Sequence, residues 1–270
     1  MNDYTLWFYP AAIAYHLAAV LSIQELLDRC NDYSRWIGGT ILAGTLFVTL
    51  AIAGRWLTYG QGPFLTMHEV LISSLFSLSF IYGLAYVFVP ITRVGAPFAA
   101  VTILLLFIWA AETDPGIRLL PPTYETPWLW VHVIFGKLFL GCCLVATSLG
   151  VWLITPLKRF VRSARYMWVP QQLERQVWIW LSLAFLFHSV MLIAGAVWAQ
   201  DAWGRYWDWD PLETWAFITW LCMALTLHMR SVYPLGPRTL SLLAMGVFVL
   251  AFLTFFGVPF VSVNPHQGAV

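Results

Sequence analysis

The run WLWVHVIFGKLFLGCCLVATSLGVWLIT, residues 128–155, carries one lysine, Lys137, and no carboxylate. About 20 apolar residues are enough for a helix to cross a hydrocarbon core. Within lipid every backbone amide must be satisfied inside the segment, so the run reads as a transmembrane helix. Seven more apolar segments lie outward from it, at 6–27, 37–54, 69–90 and 95–111 before it, and at 177–198, 212–230 and 239–262 after it. The fold class that follows is all-α: a polytopic transmembrane helical bundle of about eight spans, with residues 1–270 forming a single membrane domain. Composition agrees, with 60% hydrophobic and 10% charged residues and a mean hydropathy of +0.75. That is too little charge to wet the surface of a soluble domain.

Orientation follows from lysine and arginine, which favour cytoplasmic loops. Arg29, Arg35, Arg93, Lys158, Arg159, Arg162, Arg165, Arg175, Arg230 and Arg238 fall in one set of loops, whereas the opposite set has Arg55, Arg118 and Arg205. Ten against three places the first set in the cytoplasm and both termini outside. The stretch KRFVRSARYMWVPQQLERQ, residues 158–176, is then a basic cytoplasmic loop that fixes topology. The opposite loops are TYGQGPFLTMH, ETDPGIRLLPPTYETP and AQDAWGRYWDWD, followed by the tail VNPHQGAV. The leading MNDYTLWFYP lacks a basic stretch and a small-residue cleavage site, so it is expected to stay as part of the first span. A net charge of +1 gives no reason to expect a nucleic-acid partner. The four cysteines, Cys30, Cys142, Cys143 and Cys222, contain no CxxC, so neither a disulfide framework nor a thiol-redox motif is supported.

Residues 198–215 read Trp-Ala-Gln-Asp-Ala-Trp-Gly-Arg-Tyr-Trp-Asp-Trp-Asp-Pro-Leu-Glu-Thr-Trp. Trp198, Trp203, Trp207, Trp209 and Trp215 stand there with Tyr206, Arg205 and four carboxylates. Tryptophan collects at membrane–water boundaries, but an interfacial belt needs one or two rings per helix end. Broad aromatic faces suit a large flat ligand. Arg205 is placed to pair with an anionic edge of such a ligand. Asp210, just before Pro211, is placed to cap a helix starting near Leu212, with Glu213 in its first turn. The pattern Trp-Ala-x-x-Ala-Trp-Gly-x-Tyr-Trp-x-Trp-Asp-Pro-x-Glu-Thr-Trp resembles the WWD segment of the haem-handling superfamily that serves cytochrome c biogenesis. It is more similar to the CcsA (ResC) family of System II than to the CcmC or CcmF type. The resemblance runs from about Trp128 to His266; over the first hundred residues only the general hydropathy agrees. It implies haem b as the bound group, on an external platform at 198–215 that includes Asp210. It also implies a CcsB/ResB-like membrane partner and an apocytochrome c bearing Cys-x-x-Cys-His.

Histidine is the natural axial ligand for haem iron, and ionisable side chains inside a membrane are costly enough to be read first as functional. His132, near the start of the fifth span, and His266, after the eighth, share an outer level with the tryptophan segment. They match the two external haem ligands of CcsA-like proteins. Leu227-His228-Met229-Arg230 matches the family's intramembrane histidine, which implies an inner haem site near the cytoplasmic end of the seventh span. A partner of the CcsB type would supply its opposing ligand; within this chain the candidates are His16 and His188, for each of which a structural hydrogen bond is the plainer reading. Pro63-Phe-Leu-Thr-Met-His68-Glu69 corresponds to a Pro-Leu-Ser-Asn-x-x-Glu stretch of the family. The proline and glutamate fit, and His68 is a departure: a third external ligand, a support for one, or a helix-terminal residue. Lys137 is expected to snorkel or to pair within the bundle.

The expected function is haem binding, trafficking and presentation for covalent attachment to apocytochrome c, the chain acting as the CcsA half of a holocytochrome c synthase. The expected location is a bacterial cytoplasmic or thylakoid-type membrane, with the tryptophan segment on the outer side. Two other classes are weighed. A quinol-linked electron-transfer subunit would keep its haem permanently on two bis-histidine sites, one near each face; a redeployed CcsA-like accessory subunit is the further alternative. A transporter would show inverted repeats and broken helices, which the sequence does not display.

Overall fold

The computed structural model describes residues 3–28, 31–118, 120–154 and 170–261. Among these no strand occurs, and eight helices are long and apolar enough to cross a membrane. A 3-10 turn, Asp3–Trp7, leads into α1 (Phe8–Leu27). There follow α2 (Ser34–Tyr59), α3 (Met67–Phe88), α4 (Ala96–Glu112), α5 (Pro127–Ile154), α6 (Pro170–Trp203) and α7 (Pro211–Val232). The last span is α8 (Pro237–Phe252), continued by a π-helical turn, Leu253–Gly257, and a short α9 (Val258–Val261).

Helix ends follow local chemistry. Proline opens α5, α6, α7 and α8, where its missing N–H and fixed φ cost nothing. Thr66 and Glu69 form a reciprocal capping box at the start of α3. Gly60, at φ 69°, ends α2 in the left-handed conformation that a side chain would resist. Two helices outrun their hydropathy. The second reaches Ser34–Tyr59 rather than 37–54, and the sixth reaches Pro170–Trp203 rather than 177–198. Backbone hydrogen bonding continues through polar and aromatic flanks that a hydropathy window discounts. So Pro170–Gln176 of the basic stretch and Ala199–Trp203 of the tryptophan segment are helical, while residues 155–169 lie outside the described residues.

Contacts divide the chain into two compact units, Met1–Arg118 with Ile154–Leu173, and Leu119–Leu153 with Glu174–Val270. Hydropathy carries no mark of this division.

In the first unit α1 and α3 each pack on both α2 and α4. Small residues let the helices approach: a Cβ at Gly44 would stand 2.5 Å from the Tyr15 ring. Tyr15 donates to Ser79 Oγ at 3.0 Å and Thr45 to the same oxygen at 2.9 Å, so the buried hydroxyls are satisfied. Near the end of α2, Arg55 is 3% exposed and all five of its N–H donors are used. Nε and Nη2 donate to Glu69 Oε1 at 3.0 and 2.9 Å, Nη1 to Tyr4 Oη and the Pro115 carbonyl, and Nη2 to the Gly116 carbonyl.

In the second unit almost every residue of α5 from Gly136 to Leu153 is buried. Thr147 ties α5 to the Ala244 carbonyl of α8 at 3.3 Å, and Trp220 Nε1 ties α7 to Ser189 Oγ of α6 at 2.8 Å. Thr219 of α7 meets Thr254, in the π turn, at 3.3 Å.

Candidate functional site

In the second unit, the end of α6, the start of α7 and the start of α5 carry most of the residues singled out above. Gly204, at φ 73°, ends α6, its N–H reaching the Gln200 carbonyl at 2.9 Å. Only Gly204–Asp210 of the tryptophan segment then lies outside helices. Its carboxylates brace it. Asp210 caps α7 by accepting the Glu213 N–H at 2.9 Å, and Glu213 Oε2 accepts the Asp208 N–H at 2.8 Å. Asp208 also pairs with the half-exposed Arg205. The turn is tight enough to hold Trp209 at φ 59°, the one non-glycine residue with positive φ among the described residues. Such strain costs about 1–3 kcal/mol and persists only where surroundings enforce it.

The rings form two groups. Around Trp198 stand Trp203 at 5.0 Å, Tyr124 edge-on at 5.1 Å and His132 at 5.9 Å between centroids. Trp198 itself is buried and donates Nε1–H to the Thr123 carbonyl at 3.3 Å. Around Phe217 stand Trp207 at 6.0 Å, Trp209 at 6.2 Å and Trp220, stacked at 6.0 Å. Trp209 is 67% and Tyr206 61% exposed, so both offer open faces; Trp215 is also exposed. Trp207 Nε1 is buried with no hydrogen-bond partner among the described residues.

α5 and α6 run antiparallel here, which brings His132, early in α5, level with Trp198, late in α6. His132 Nδ1–H donates to the Met191 carbonyl at 2.9 Å. A carbonyl can only accept, so Nδ1 carries the proton, and in the neutral ring the lone pair falls on Nε2, the arrangement usual behind a metal-bound imidazole. His266 lies outside the described residues. His188 is 1% exposed in mid-α6, stacked on Phe139 at 4.1 Å, and neither ring nitrogen has a hydrogen-bond partner among the described residues. His228 is exposed on α7. It is sixteen residues beyond Leu212, about 24 Å along the axis, and so far from the loop rings.

The remaining candidates belong to the first unit. His16 is exposed and bonds the Ala12 carbonyl of its own helix at 2.8 Å. His68 is buried at the start of α3. Its Nδ1 lies 3.1 Å from both the Ala110 carbonyl and Thr113 Oγ1, and its Nε2 has no partner among the described residues. Both oxygens of Glu69 are engaged, one by Arg55 and the other by the Leu65 and Thr66 N–H groups. Arg55 was missed as a network centre by sequence reasoning, which counted it with the loop cations. Among the described residues no three His, Cys, Asp or Glu side chains converge as a metal set.

Comparison with known proteins gives this geometry its context. The sequence model of the Cytochrome C assembly protein family matches residues 64–266. Curated proteins named cytochrome c biogenesis protein CcsA are similar over nearly the whole chain. The one from Solanum bulbocastanum is 28% identical, covering 94% of this chain and 90% of its own. The one from Oenothera argillicola is 25% identical, covering 99% and 98%. Among solved structures, Cytochrome c Heme Lyase CcmF aligns with a TM-score of 0.76 over 94% of this chain at 16% identity, a likeness of fold. This chain spans 46% of that one, less than half its length. The family match reaches back across the Thr66–Glu69 cap, and so takes in nearly all of the Pro63–Glu69 stretch together with the region from Trp128.

Proposed function

The chain belongs to the cytochrome c assembly family, as a multi-pass membrane protein of cytochrome c maturation, and on that footing we propose that it binds haem b and presents it for covalent attachment to apocytochrome c. In this reading it is the CcsA half of a System II synthase, completed by a CcsB/ResB-like membrane protein. It sits in a bacterial cytoplasmic or thylakoid-type membrane with the tryptophan segment outside.

The single observation that carries the proposal is His132. Its Nδ1–H is given to a backbone carbonyl, its lone pair is on Nε2, and its ring lies beside Trp198 within the tryptophan segment. The other residues fit the same ligand. Trp209, Tyr206 and Trp215 supply exposed aromatic surface, and Trp207 has an N–H to donate. Arg205 would exchange Asp208 for a propionate. Asp210 holds the loop's shape rather than touching the ligand. His132 and His266 would hold the haem through their imidazoles. His228, exposed on α7, is assigned to an inner site that the partner completes.

Haem supplies two vinyl groups to the reaction. Each thiol of the apocytochrome Cys-x-x-Cys adds across one of them: sulfur bonds to the carbon next to the ring and the thiol proton passes to the terminal carbon. The addition leaves iron and sulfur with no net electron change. This chain contributes orientation and exclusion of water.

The test is the reduced absorption spectrum of purified protein for wild type, His132→Ala, His266→Ala and His228→Ala. The two external substitutions are expected to alter one and the same haem, and His228→Ala a different one. Unchanged spectra in all three would overturn the assignment.

A further inference from the structure

We infer that Gly195 is a positioning residue for His132: the side chain it lacks is the space in which the imidazole lies, seated on the Met191 carbonyl. The inference rests on the reading of His132 as an outer haem ligand.

Positions 188, 191, 195 and 198 of α6 are spaced three, four and three residues apart, so they share one helix face. That face meets α5 along its length. His188 stacks on Phe139, the Met191 carbonyl takes the His132 N–H, and Trp198 lies against the His132 ring. Gly195 stands one turn beyond Met191 and one turn before Trp198, beside the ring. A Cβ built there would lie 2.6 Å from His132 Nδ1 and 2.9 Å from Cε1, separations real Cβ atoms essentially never show. Nδ1 is the atom that donates to Met191. Any displacement that relieves the clash lengthens a 2.9 Å bond and turns Nε2 away from its direction. Helix propensity alone favours alanine over glycine in a helix interior, so glycine here has a packing reason. The neighbouring glycines of this unit are of another kind. A Cβ at Gly136 would meet the Met191 sulfur at 3.1 Å and the Phe255 ring edge at 3.2 Å, and neither is a ligand.

The experiment compares haem retention and the reduced spectrum of full-length purified protein for Gly195→Ala, His132→Gly, the double variant and Gly136→Ala, each with and without added imidazole. Groups that orient a metal ligand typically change metal affinity by roughly 10–100-fold when lost. Gly195→Ala is expected to fall in that range and to change the reduced spectrum as His132→Gly does, and added imidazole is expected to restore the wild-type spectrum in both. Gly136→Ala is expected to retain the wild-type spectrum. In the double variant the added methyl should cost nothing further, because the ring it strikes is gone. A wild-type spectrum for Gly195→Ala beside an altered His132→Gly overturns the inference and leaves the ligand reading standing. A wild-type spectrum for His132→Gly overturns both. Equal losses in Gly195→Ala and Gly136→Ala would mark general crowding and also overturn it. Should Gly195→Ala fail to accumulate, recovery in the double variant supports the inference and continued failure overturns it.

Discussion

At the scale of single residues, the Arg55–Glu69 pair supports a specific expectation. A guanidinium taken out of water is tolerable because all five N–H groups find acceptors, among them the Pro115 and Gly116 carbonyls. Glu69→Ala would strand that charge, at a cost of about 3–5 kcal/mol. It would also remove the acceptor for the Leu65 and Thr66 N–H groups. Thermal unfolding in detergent should show a markedly lower midpoint for Glu69→Ala than for Glu69→Gln, which keeps an oxygen in place. Equal midpoints would mean that the pair contributes little. Sequence alone could not assign this role, since an arginine near a span end reads as a loop cation and burial has no local signature. Gly195 was hidden for a related reason: nothing distinguishes it from the other glycines until α5 places an imidazole against it. The tryptophans were legible because five of them in eighteen residues exceed any interfacial need. The cap at Asp210 was legible because Asp-Pro before an apolar run carries its own mechanism.

Among the elements, the existence and type of eight spans could be read directly, because lipid leaves helices as the natural solution for long apolar runs. Their ends could not be read, because hydrogen bonding carries α2 and α6 past the apolar stretch. The consequence is sharpest at α6, whose last turn takes Trp203 out of the loop and onto the same rigid helix as Trp198. What remains, Gly204–Asp210, is short enough to strain Trp209. Trp209→Gly should remove that strain, a benefit of about 1 kcal/mol or more offset by glycine's greater unfolded-state entropy. It should also remove an exposed ring. The expected result is a melting midpoint no lower than wild type with haem content clearly reduced, read by thermal unfolding and by the absorption ratio of haem to protein. A lower midpoint with haem fully kept would show that the ring serves packing and the conformation serves nothing.

For the molecule as a whole, the question is which side of the membrane faces the tryptophan segment. The charge asymmetry is stronger than a count of arginines makes it. Of the three cations opposing the set of ten, Arg55 is buried in an ion pair, whereas Arg205 stays half-exposed beside Asp208. Arg55 is therefore not a solvated loop charge. α7 gives a direct way to ask. Its 22 residues extend about 33 Å, enough to cross a core of about 30 Å. Tyr206, before it, is 61% exposed, and Tyr233, after it, is 59% exposed. In a background lacking the native cysteines, Tyr206→Cys should react with a membrane-impermeant maleimide on intact cells, and Tyr233→Cys only after permeabilisation. Reversed labelling would put the aromatic platform in the cytoplasm, out of reach of a cytochrome matured outside it. Labelling of both from one side would mean that α7 does not span, and the assignment of His228 to an inner site would fail with it.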